Sequence, residues 1–82
     1  MTIPNRDHQH GGIEAVGSIS QRLKDVLRTG ANWQRLSHAQ REALDMMMHK
    51  VARIMSGDLT VKDHWLDAGG YPLCIARQME DE

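Results

Sequence analysis

The sequence predicts an all-α fold: a small antiparallel helical hairpin within a three-helix unit that oligomerises. Three observations lead there. Apolar residues recur at helical spacing in two segments, 18–29 and 38–56, and a third helix is expected over 63–79. Capping-box pairs, Ser18 with Gln21 and Ser37 with Gln40, stand at the head of the first two. The one extended-looking piece, DLTVK at 58–62, has nothing to offer it a partner strand.

With 82 residues there is room for one domain, and a chain of that length buries only a modest core. The single cysteine, Cys74, leaves no internal disulfide to add stability, so association with further copies is the expected source of burial. A lone thiol also fits a reducing compartment. No leader is visible, and no apolar run approaches the roughly 18 residues a membrane span needs. A cytoplasmic protein with no membrane partner is therefore expected. Ten Lys and Arg stand against 11 Asp and Glu. That balance lacks the basic excess with which proteins usually engage long nucleic acids, whereas a small anion needs only two or three well-placed cations.

Residues 1–12, MTIPNRDHQHGG, carry no periodicity and read as an N-terminal arm; 13–79 form the helical domain and 80–82 an acidic tail. In the first helix Ile19, Leu23, Val26 and Leu27 share a face, and Gly30 is a natural stop. A start nearer Ile13 is opposed by Gly17. The connector 31–36 holds Trp33 and Leu36, which should fold back on the core. In the second helix Leu44, Met47, Met48, Val51, Ile54 and Met55 make an apolar stripe. Glu42, Asp45, His49 and Arg53 lie opposite, Lys50 sits on the flank, and Gly57 ends the helix. The third helix has Thr60 and Asp63 as candidate N-caps. A kink is expected near Gly69–Tyr71, because two glycines precede Pro72, which cannot donate to the Ala68 carbonyl.

Chemistry concentrates in KDHWLDAGGYP, residues 62–72. Asp63, Asp67 and Tyr71 are spaced by four and share a helical face. The short turn after Gly57 folds the second helix back alongside, which brings Lys50 towards that face. Two readings of the carboxylates stay open: Asp63 as a cap with Asp67 in an interhelical ion pair to Lys50 or Arg53, or both as part of a ligand or metal site. Trp65 and Tyr71 are either core or rings on which a base stacks. The Met46–Met48 run reads as core or subunit contact, and Cys74 as a buried small hydrophobe. Asp7, His8 and His10 of the arm read as surface, or as metal ligands. No phosphate-cradling loop, zinc spacing or Ser/His/Asp motif is present.

The stretch ALDMMMHKVARIMSGDLTVKDHWLDAGGYPLCIAR, residues 43–77, resembles a family of small phage-encoded helical-hairpin proteins. The pattern is His49-Lys50, Ala52-Arg53-Ile54, Gly57-Asp58, then Asp63, Trp65, Asp67, Gly70 and Tyr71. The layout is similar to MazG-like nucleotide pyrophosphohydrolases, although their doubled-Glu run is absent here. In size and plan it also resembles phage anti-defence proteins that bind cyclic nucleotide signals of bacterial immunity, of the CBASS and Thoeris types. That resemblance implies a small nucleotide ligand, sequestered without cleavage in an infected bacterial cell, with no cofactor and no catalytic residue. Lys50, Arg53, His49, Tyr71 and Trp65 would contact it, Asp67 would orient Lys50 or accept from a base or ribose, and Asn5, Arg6 and His8 would form a lid. The MazG-like alternative implies Mg²⁺ held by Asp58, Asp63 and Asp67, joined by Glu42 and Asp45, with Lys50 offsetting developing negative charge. A third expectation is a protein-binding module that presents the Met-rich helix.

Overall fold

A computed structural model describes residues 12–57 and 59–80. Among them three α-helices follow one another: α1 (Ile13–Arg28), α2 (His38–Ser56) and α3 (Lys62–Glu80), with a short 3-10 turn at Trp33–Arg35 between the first two. No described residue is in a strand, so the fold is all-α, with two 19-residue helices and a 16-residue one.

Helix α1 begins six residues earlier than a cap at Ser18 predicts, at the Ile13 start that Gly17 opposes. Gly12 is its N-cap and offers no side-chain bond. Ser18 is interior, and its carbonyl accepts from Arg22 Nε at 3.2 Å. Gly17 is tolerated because burial of the neighbouring Val16 against the core offsets the roughly 1 kcal/mol a helical glycine costs. The helix ends at Thr29, whose hydroxyl donates to the Val26 carbonyl at 2.7 Å. Helix α2 starts where its sequence predicts. Gln40 N–H donates to Ser37 Oγ at 3.1 Å, and Ser37 N–H donates back to Gln40 Oε1 at 2.8 Å. Gly57 closes it, with its N–H on the Arg53 carbonyl at 2.8 Å.

Helix α3 departs from expectation at its start. It starts at Lys62, so Asp63 lies inside the first turn and not at the cap. It runs as one helix past Gly69, Gly70 and Pro72, as the expected span of 63–79 requires. The inward line of His64, Ala68, Tyr71 and Ile75 explains this. His64 is buried, the other three are half-buried, and the line straddles Pro72, so both halves are held against α2.

Helix α2 is the middle element, packed on α1 and on α3. Its buried residues are Ala43 and Ala52, nine apart. At about 100° per residue they point to opposite sides of the helix, one for each neighbour. The predicted stripe of Leu44, Met47, Met48, Val51 and Ile54 is therefore only half-buried, and Met55 is 68% exposed. The supposed polar side is half-buried too, at Asp45, His49 and Arg53. Met46–Met48 are likewise half-buried. Three helices in this order make an elongated body, 45 × 25 × 20 Å, with a radius of gyration of 14.2 Å. A compact chain of this length would have about 11–12 Å. Among the described residues the buried apolar core is Val16, Trp33, Ala43 and Ala52. Trp33 folds back as expected, whereas Cys74, expected to be buried, is exposed because it faces away from the inward line of α3. No helix is long and apolar enough to cross a membrane, among the described residues.

Candidate functional site

Polar side chains gather at two places, one on each side of α2. On the α1 side, Arg28 grips Asp45 with both nitrogens, Nη1 to Oδ1 at 3.1 Å and Nη2 to Oδ2 at 3.0 Å. The Arg28 guanidinium lies over the Trp33 ring, 4.7 Å from its centroid, and that of Arg41 lies 5.6 Å away. Arg41 also donates to the Trp33 carbonyl at 3.0 Å and to the Gln34 carbonyl at 2.9 Å. All of these groups are spent on tying the connector to α1 and α2. Sequence reading missed the clasp, although Arg28 and Asp45 are a basic and an acidic residue facing each other across a predicted hairpin.

On the α3 side, Lys50 Nζ meets Asp67 Oδ2 at 3.2 Å. The Lys50 side chain is only 12% exposed and that of Asp67 is 51% exposed. The lysine stem thus lies between the helices while its ammonium emerges at a solvent-facing carboxylate. Asp67 also lines a shallow depression of about 290 Å³ with Leu66, Gly70, Tyr71 and Cys74. The antiparallel return of α3 along α2 makes this junction: α2 supplies the cation, and α3 supplies the carboxylate and the half-buried ring, four residues apart.

His49 precedes Lys50 by about 100° of helical turn. Burial first, then the charges of Arg53, Lys24 and Lys50, hold its imidazole below the ordinary value. Three cations from α1 and α2 therefore act on one imidazole. Of these, Lys50 is paired with Asp67, while Lys24 and Arg53 make no ion pair among the described residues.

The other expected site residues fall elsewhere. Trp65 points away from the Asp67–Tyr71 flank; it is 58% exposed, and its indole N–H donates to the Leu59 carbonyl at 2.9 Å. Asp63 is exposed at the start of α3. Asn5, Arg6, Asp7, His8, His10 and Asp58 lie outside the described residues. The acidic set of the hydrolase alternative is divided, because Asp45 is held by Arg28 on one side of α2 and Asp67 by Lys50 on the other. Among the described residues no three His, Cys, Asp or Glu side chains gather as a metal site would require. His64, 2% exposed, is a buried polar group that sequence reading did not single out.

A separate apolar groove of about 250 Å³ runs between α2 and α3, with Leu36, Ala43 and Met47 on one wall and Pro72, Ile75 and Met79 on the other. Comparisons with protein-family models, curated proteins and solved structures produced no match to this chain. The likeness to phage helical hairpins accordingly rests on the pattern in residues 43–77.

Proposed function

We propose that this protein binds a small nucleotide of bacterial anti-phage signalling, including cyclic forms, and sequesters it without cleavage. The observation that carries the reading is the Lys50–Asp67 pair at the edge of the depression bordered by Tyr71. A nearly buried lysine whose ammonium is held at a fixed place supplies a point charge for a phosphate. Asp67, half exposed, can exchange that ammonium for a base or ribose donor when a phosphate takes its place. The Tyr71 ring offers a stacking surface of the kind that adds about 1–3 kcal/mol per base. Lys24 and Arg53, whose charges act on His49, extend the positive field around the back of α2, which favours the approach of an anion.

Binding without hydrolysis is favoured over Mg²⁺-dependent cleavage by the division of the carboxylates. A metal that bridges phosphate oxygens needs acidic ligands converging from facing helices. Asp45 and Asp67 are instead each committed to a cation, on opposite sides of α2.

Calorimetry against linear and cyclic nucleotides, in Mg²⁺ and in EDTA, tests the reading, followed by denaturation and chromatography of the released ligand. Binding that persists in EDTA, weakens at least about tenfold in Lys50→Ala and returns an intact nucleotide supports it. Metal-dependent conversion to a monophosphate and pyrophosphate would make the protein a hydrolase. Silence across the whole panel would retire the nucleotide reading in favour of a protein partner.

A further inference from the structure

We propose that the outer face of α3 is the contact between two copies of this chain, laid antiparallel and crossing at Gly70. This helix packs on α2 through His64, Ala68, Tyr71 and Ile75. Directly behind that line run Leu66, Gly70 and Leu73, spaced by four and three as in a helix–helix seam. Both leucines face solvent, Leu66 at 58% and Leu73 at 51% exposed. Nothing lies within 4 Å of where a Gly70 side chain would begin, so the chain leaves that space open. A residue without a side chain at the middle of an apolar seam lets a second backbone come close.

Charge selects the occupant and its direction. Asp63 and Arg77 continue the same spacing at the two ends of the seam. Both are exposed, and neither is in an ion pair among the described residues. Asp63 lies seven residues before Gly70 and Arg77 seven after it. A two-fold axis at Gly70 therefore sets Asp63 of each copy against Arg77 of the other, twice. It also sets Leu66 beside Leu73 of the other copy, one residue out of register, or about 1.5 Å of helical rise. A parallel pairing would instead stack Asp63 on Asp63 and Arg77 on Arg77. A seam that is apolar in the middle and oppositely charged at its ends is complementary to itself, as an isologous contact must be. The small core adds a reason for it: four buried apolar residues among those described are few for a chain whose single cysteine allows no internal disulfide. The seam borders the depression that holds Asp67, Tyr71 and Cys74, so the second copy would wall it. It does not rest on the nucleotide reading, because association needs no ligand.

Sedimentation equilibrium of the full chain, without nucleotide, is the test. The wild type should reach twice the mass of one chain. Leu73→Lys, an exposed position, should raise the dissociation constant about tenfold or more while far-UV circular dichroism retains the helical signal. Asp63→Lys and Arg77→Glu should each weaken association, and the two together should restore it. Gly70→Cys in a Cys74→Ser background should oxidise to a symmetric cross-linked dimer, a readout that holds even where a seam variant loses stability. Lys50→Ala should leave association unchanged, which separates this proposal from the ligand site. A wild type that stays monomeric through the micromolar range overturns the proposal. So does a dimer that ignores Leu73→Lys and fails to cross-link through position 70, or one that dissociates on Met79→Lys in the α2–α3 groove instead.

Discussion

At the turn between α1 and α2, a buried Trp33 ring lies under two guanidinium groups, and those groups are in turn held by Asp45 and by the carbonyls of Trp33 and Gln34. Between α2 and α3 there is one ion pair, Lys50–Asp67, flanked by an open apolar groove and a shallow depression. The first region satisfies its polar groups against its own chain. The second holds its half-exposed carboxylate by one lysine alone and leaves a half-buried tyrosine ring at its edge, with exposed leucines on the outer face of α3. The contrast separates what stabilises the monomer from what is available to a ligand or to another copy.

The largest expected effect breaks the first region. Trp33→Ala removes the bulkiest buried apolar side chain among the described residues and should cost about 3–5 kcal/mol in urea unfolding. That approaches the whole stability of a domain whose total is only about 5–15 kcal/mol. An effect below about 1 kcal/mol would mean that the clasp does not hold the α1–α2 turn.

A smaller effect, of opposite sign, applies to both regions alike. Gly17 in α1 and Gly69 in α3 sit inside helices, with nothing within 4 Å of an added Cβ. Gly17→Ala and Gly69→Ala should each stabilise by about 0.5–1 kcal/mol, seen as a rise in Tm. A loss at either position would show that its glycine serves a contact formed only on association.

The ion pair of the clasp should prove smaller again. Arg28→Ala and Asp45→Asn should each lower Tm, by less than Trp33→Ala does, and the double variant should lose no more than the Arg28 variant alone. The same loss should shrink at high salt, because the Arg28 side chain is 44% exposed. Additive losses would show that the two side chains act separately.

The smallest effect is a pH dependence at the cationic back of α2. Burial and three neighbouring cations hold His49 below its ordinary value of 6.5. Keeping it neutral therefore favours the folded state above that value, and the advantage is lost as pH falls from there through the lowered folded pKa. Thermal melts from pH 7 down to pH 5 should show a steeper loss in wild type than in His49→Gln. Parallel slopes would mean that His49 is not held in the positive environment between Lys24 and Arg53.

Part of this was legible in the sequence. The limits of α2 follow from Ser37, Gln40 and Gly57, because a capping box and a terminal glycine act within one helical turn. The meeting of Lys50 with Asp67 follows from a short turn and an i, i+4 face. The start of α1 stays open in the sequence between Ser18 and Ile13, because Gly12 gives no side-chain signal and a false capping pair, Ser18 with Gln21, lies inside the helix. The apolar stripe on α2 does not reveal which residues are buried, because periodicity cannot tell a helix with one neighbour from a helix with two. The Trp33 clasp and the burial of His64 went unseen for the same reason: both depend on groups brought from a different element.

What the sequence by itself determined is the all-α class, the position of α2 and the face shared by Asp67 and Tyr71, since each arises from interactions spanning four residues or fewer. Only the tertiary structure decided that α2 lies between its neighbours, that both halves of α3 about Pro72 pack on α2, and that Leu66, Gly70 and Leu73 are left uncovered. These depend on which helix packs against which. A helix runs on through a proline when packing on both sides of it outweighs one missing hydrogen bond, and a seam is left uncovered where none of the described elements lies against it.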